Sequence, residues 1–253
     1  MRIRTAAVAA SGALALSAFA VPAAHAAETP ITYSNVVVNG GQPIYLGTTA
    51  TKTVTVTFTV THTNKLSYAE ADLYRGSSVT PANVMVGDAG ATCTTVDATT
   101  STCVQKIVAD PAYLTDKYDA TTWSLMVMGQ DSDENLIGKG GLAPTKVQRA
   151  SKLTTDAAPE PVKKGKTITV KGTLTRASWT GGKYVALANQ TVSLQFKAAG
   201  ASSYTTLKTV TSSSTGALST TTTATVDGAY RYSYAGINTT HGTSATGDSV
   251  DVQ

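Results

Sequence analysis

The chain has 253 residues, with 20 Lys and Arg, 16 Asp and Glu and 3 His, for a formal net charge of +4. A balance this close argues against nucleic acid or an anionic membrane as the partner. No G-x-S-x-G, H-E-x-x-H, P-loop or dinucleotide fingerprint is present, so catalysis has no motif to rest on.

Arg2 and Arg4 precede an apolar, Ala-rich run from Ala6 to Phe19, and Ala24-His25-Ala26 is a small-x-small cleavage site. This is the layout of a secretory signal, so residues 1–26 are expected to be removed on export. The run is too short to favour a membrane span and no second one follows, so no integral membrane segment is expected. Residue 27 is not a cysteine and the C-terminus is not apolar, so neither a lipid nor an anchor is expected. Residues 27–253 have room for two domains of about 100 residues each. We place the first at 27–150 and the second at 151–253.

Ile31 to Val38 reads as a first strand, closed by Asn39-Gly-Gly41. Thr53 to Thr61 is the clearest strand: Val54, Val56, Phe58 and Val60 alternate with Thr53, Thr55, Thr57 and Thr59. A period of two gives one apolar face and one hydroxyl face. Weaker strands follow at Tyr68–Arg75 and Asn83–Val86, then one at Cys103–Val108. Asp110 to Asp119 breaks the pattern, and Pro111 is placed to open a single helical turn. Trp123 to Met128 is a core-type strand, Asp131 to Asn135 a turn, and Thr145 to Val147 the strand that closes the first sandwich.

No linker separates the halves, so a stiff rod is expected. Lys152-Leu-Thr154 begins the second half. Asp156 to Lys166, with Pro159 and Pro161, reads as a crossing loop, because proline disfavours a central strand. Strands are expected at Thr167–Thr175, Thr191–Lys197, Tyr204–Val210, Ala217–Val226, Ala229–Ala235 and Ser249–Val252. On the first of these Gly172 shares the face of Ile168, Val170 and Leu174, which suggests a close approach there. Tyr230, Tyr232 and Tyr234 fall on one face of a strand that starts at the Asp227-Gly228 turn; they are expected to be buried, with an exposed adhesive stripe as the alternative. Short strands with turns about every 8–12 residues and no long helical period point to an all-β sandwich fold.

The span Lys152–Gln253 resembles a bacterial immunoglobulin-like domain of the kind found in secreted Gram-positive proteins. The matching residues are Gly165-Lys-Thr-Ile-Thr-Val-Lys-Gly172, Val192-Ser-Leu-Gln-Phe196, Ser214-Thr-Gly-Ala-Leu218 and Asp227-Gly-Ala-Tyr230. The first half resembles that family in strand order and in its Trp123 strand. The resemblance implies two tandem immunoglobulin-like β-sandwiches. Such domains serve as spacers, adhesive units and appendages, so it says little of function.

Several residues invite a chemical reading. Cys93 and Cys103 flank the turn Thr99-Thr-Ser-Thr102, and in an exported chain they are expected to form a disulfide worth about 2–3 kcal/mol. His62 and His241, the two histidines beyond the signal, read as loop residues, and Asp110, Asp116 and Asp119 as a hydrated loop. Asp131-Ser-Asp133-Glu-Asn135 offers oxygens at alternate positions, as calcium prefers, but lacks the glycine and glutamate of an EF-hand; a polar turn is the competing reading. Trp179, in the Gly-rich insertion Trp179-Thr-Gly-Gly-Lys-Tyr184, could form with Tyr184 a stacking platform for carbohydrate, or fold back over the core. Lys163, Lys164, Lys166 and Lys171 read as a solvated turn, and the Thr-rich stretch from Thr211 to Thr225 as strand.

The expectation is a secreted protein without catalytic residues or a required cofactor, presenting its surface to a protein or cell-envelope partner. Carbohydrate or cell-wall binding through Trp179 and Tyr184 is the alternative. Behind it stand a calcium-stabilised module and an unrecognised hydrolase. Thr-rich edge strands could also pair with a second copy.

Overall fold

The computed structural model describes residues 31–80, 82–87 and 89–253. The signal reading of residues 1–26 lies outside them. Among the described residues, nine strands build the first sandwich: β1 (Thr32–Val38), β2 (Ile44–Leu46), β3 (Lys52–Thr61), β4 (Leu66–Tyr74), β5 (Val84–Met85), β6 (Thr92–Asp97), β7 (Thr100–Ala109), β8 (Thr122–Asp131) and β9 (Leu136–Arg149). One sheet has the order β1-β3-β7-β6. The other runs β5-β4-β8-β9, with β2 added parallel to β9. In the lettering of antibody domains these are A-B-E-D and C′-C-F-G, the immunoglobulin arrangement.

The alternation on β3 sets this core. Val54, Val56, Phe58 and Val60 are buried in the same cluster as Leu73 of β4 and Trp123, Leu125 and Val127 of β8. The threonines between them face outward, Thr59 half-buried and the others exposed. Cys93 and Cys103 are direct partners across the β6–β7 hairpin and form the disulfide.

The second sandwich comprises β10 (Ser151–Leu153), β11 (Asp156–Ala158), β12 (Thr167–Ser178), β13 (Lys183–Ala186), β14 (Thr191–Ala198), β15 (Thr205–Thr211), β16 (Ala217–Thr223), β17 (Gly228–Ile237), β18 (Thr240–Ser244) and β19 (Asp248–Val250). One sheet is β11-β12-β16, with β10 and β13 also paired to β12. The other is β15-β14-β17-β18, and β19 pairs with the start of β17. Tyr230, Tyr232 and Tyr234 are buried on the inner face of β17. The polar ends of two are satisfied there: Tyr232 Oη donates to the Val170 carbonyl at 2.8 Å, and Tyr234 Oη donates to Gln190 Oε1 at 3.1 Å.

Some elements differ from expectation. Asp156–Lys166 is not all loop, because Asp156–Ala158 pairs with the edge of β12 before the prolines intervene. The closing strand of the first sandwich extends from Leu136 to Arg149 despite Gly138, Gly140, Gly141 and Pro144. Register shifts against β8 absorb the irregularity, and Tyr74 Oη accepts the Gly141 N–H at 2.8 Å. His241 sits in β18 and not in a loop.

Ala150 alone separates β9 from β10. Around this joint the sandwiches are held by many contacts. The β12–β13 hairpin reaches into the first sandwich, where Ala177 and Trp179 join its apolar core. Tyr45 of β2 stacks on His241 with ring centroids 4.0 Å apart. Gln148 Nε2 donates to the Ile237 carbonyl at 2.8 Å, and the Arg149 N–H donates to the Thr239 carbonyl at 3.1 Å.

Candidate functional site

The residues singled out in the sequence do not assemble into one site. Trp179 is 4% exposed. Its N–H donates to Asp116 Oδ1 at 2.7 Å, and its indole Nε1 donates to the Leu46 carbonyl at 3.4 Å. The ring therefore does not form a stacking platform. Nor does it cover its own sandwich: it folds forward into the neighbouring one. Tyr184 is half-buried against the same core, with Lys152 Nζ 4.1 Å from its ring centre.

The loop after β8 is closed on itself. Asp131 Oδ1 accepts the N–H groups of Asp133 and Asn135 at 2.9 and 3.0 Å, and its Oδ2 accepts the Asn135 amide at 3.1 Å. The Asn135 amide, followed by these backbone donors, holds the Asp131 carboxyl below the usual range. Asp133 Oδ2 accepts from the Asn64 amide at 2.9 Å. The arrangement is that of a polar hairpin turn whose oxygens already have donors.

Among the histidines, His62 places Nε2 3.1 Å from Ser101 Oγ, a nucleophile–base spacing. Both residues are buried, so no substrate reaches them in this conformation. His241 stays below the ordinary imidazole pKa through burial first and the nearby Lys52 charge second.

The three aspartates after β7 do separate work. Asp110 accepts the Ala112 N–H at 2.8 Å and caps the short 3-10 turn Pro111–Tyr113. Asp116 binds the tip of the β12–β13 hairpin. Asp119 pairs with Arg75 and accepts from Thr115 N and Oγ1, while its carbonyl accepts the Trp123 indole N–H at 2.9 Å.

These anchors shape a groove that the sequence did not disclose. β5 and the residue after it supply one wall through Val84, Met85 and Val86. The β7 end and the 3-10 turn supply the other through Val108, Tyr113 and Leu114, with Trp123 and Asp119 also lining the groove, which encloses about 810 Å³. Tyr113 is 87% exposed and Val86 55%. Tyr118 stands exposed nearby, with Lys117 Nζ 4.8 Å from its ring centre. The lining is apolar and aromatic with few polar groups, which suits capture of an apolar side chain more than bond chemistry.

Asp72 of β4 lies buried close to Gly87, the residue after Val86, and its Oδ1 has no hydrogen-bond partner. Burial, and next the Glu70 charge, push its pKa up from 3.8 to about 6, against a lowering by the Gly87 backbone. Between these values the folded chain keeps a proton that the unfolded chain has lost. Stability is therefore expected to fall as pH rises from about 4 through about 6. Asp72→Asn should flatten that slope in denaturant unfolding measured across the interval; an unchanged slope would count against it.

No family model and no curated protein matches the chain. Solved structures that align with the chain include the D00-D0 domain of intimin, at 13% identity over 87% of this chain and 99% of that one, with a TM-score of 0.29. The three N-terminal domains of the bacteriophage RB49 outer capsid protein Hoc align at 13% identity over 88% of this chain and 71% of that one, with a TM-score of 0.34. A chimeric titin Z1Z2 aligns at 13% identity over 90% and 98%, with a TM-score of 0.25. Likenesses this loose fix neither a family nor an activity.

Proposed function

We propose that the chain is an exported, non-catalytic adhesive protein: two immunoglobulin-like sandwiches, 27–150 and 151–253, joined stiffly and freed of a leader at 1–26. The observation that carries this reading is the apolar groove beside Tyr113. The first sandwich presents it to a protein partner that inserts an apolar side chain. Large exposed aromatics of this kind are enriched where proteins meet. The Cys93–Cys103 disulfide fits an oxidising compartment outside the cytoplasm. A cell-envelope protein is the partner class this favours. The carbohydrate reading loses its platform with the burial of Trp179.

The test is retention of the purified chain on whole cell envelopes, isolated peptidoglycan and insoluble polysaccharide. Retention is expected on envelopes alone. Tyr113→Ala and Val86→Asp should each weaken it by about tenfold, the effect of losing a central contact. Both side chains are exposed, so the thermal midpoint should hold. Equal retention of both variants, or binding to purified glycan, would overturn the reading.

A further inference from the structure

Three buried polar atoms at the joint between the sandwiches have no hydrogen-bond partner: Nε of Arg149, Nε of Arg176 and Oγ1 of Thr240. The fold gathers them. Arg149 ends β9, and Thr240 opens β18 as its parallel register partner. Arg176 pairs with Ser151, two residues beyond Arg149. Ser151 Oγ in turn donates to the carbonyl of His241, next to Thr240. Arg149 is 6% exposed and Thr240 is fully buried.

The charges do not balance either. Asp116 is the carboxylate paired with Arg149, at 3.5 Å from Nη1. Its oxygens are already engaged by Ser178 Oγ and the Trp179 N–H, each at 2.7 Å. Burial disfavours the charged Arg149 most and repulsion from Arg176 comes second, against the charge and hydrogen bond of Asp116. A buried charge lacking full compensation is costly, as is a buried donor without an acceptor. Water would fill the hydrogen bonds and leave the charge. An anion answers both.

We propose that the joint binds one small inorganic anion, of halide size, between Arg149, Arg176 and Thr240. Burial closes the place to a polymer or a sugar. Arg149 belongs to the first sandwich, Arg176 and Thr240 to the second, so the ion ties the two together.

Crystals of the full chain soaked in bromide give the direct test. An anomalous peak within hydrogen-bond distance of the three atoms is expected; an ordered water with no bromide overturns the proposal. In solution, thermal unfolding in sodium bromide is compared with the sodium salt of a bulky organic anion at equal ionic strength. For a ligand that binds the folded chain alone, the midpoint should stand about 2–4 °C higher in bromide. Arg176→Met, which keeps the aliphatic stem, should lose the difference, and Arg176→Gln serves if that variant does not fold. Equal wild-type midpoints overturn the proposal. So does a crystal peak without a solution shift, which would mean binding at crystal concentration only.

Discussion

Trp179→Ala is expected to destabilise the chain by about 3–5 kcal/mol, the range for deleting a buried large aromatic. The ring lies in the core of the first sandwich although it is carried by a hairpin of the second. Its removal therefore empties a space that neither sandwich can refill by itself. The joint should loosen as well as the core. Denaturant unfolding gives the first effect, and small-angle scattering gives the second as a broader distribution of end-to-end lengths. A tryptophan serving as an exposed sugar platform would behave oppositely: its loss would abolish glycan retention and leave the unfolding midpoint in place. Asp116→Ala is the companion variant, since it frees the hairpin tip without touching the ring. If both variants unfold like the wild type, the hairpin does not hold the sandwiches together.

The destination of Trp179 shows where sequence reasoning stops. The insertion is recognisable from its Gly-Gly turn, but the carbonyl that receives the indole belongs to Leu46, 133 positions away. No local pattern encodes which core a hairpin tip enters. The groove has the same origin, because one wall comes from β5 and the other from the segment after β7, where Asp119 is anchored to Arg75 just after β4. Short strands were also missed. Ile44–Leu46 offers three residues between Pro43 and Gly47, too few for a period to show. Thr240–Ser244 carries Gly242 and no aliphatic residue, and its pairing is set by β17 on one side and the end of β9 on the other. Where one face of a strand is buried along several residues the pattern was plain. The Val and Phe positions of β3 and the three tyrosines of β17 face inward as their spacing requires. The polar loop at Asp131 was recognisable as a turn because Asp and Asn bond to their own backbone.

Gly172 is where a local signal reached a tertiary contact, and it supports the second large effect. Gly172→Ala is expected to cost about 3 kcal/mol or somewhat more, at the upper end of overpacking penalties. A Cβ at this position would stand 2.8 Å from Cδ2 of Tyr232 and deep inside the contact distance of the Thr154 carbonyl oxygen. Neither neighbour has room to move. Tyr232 is fully buried, and its hydroxyl donates to the carbonyl of Val170, two residues before Gly172 on β12. Its backbone N–H is held by Thr155 Oγ1 at 2.8 Å. Thr154 is tied twice to Thr173, with its N–H on the Thr173 carbonyl at 3.1 Å and its Oγ1 accepting the Thr173 N–H at 2.9 Å. The added methyl must push the segment after β10 away from β12 or tilt the central ring of the core. Thermal unfolding of Gly172→Ala beside Gly165→Ala separates this from ordinary loss of glycine. Gly165 has a φ of +79° with open space around its missing Cβ, so alanine there strains only the backbone. Gly172 has no such φ, and its cost would come from the clash alone. If Gly172→Ala proves as stable as the wild type, β10, β12 and β17 are not packed as closely as described. Pairing it with Tyr232→Leu gives the decisive comparison. Leucine removes the ring that the methyl strikes, so the double variant should lose less stability than the two single changes added together.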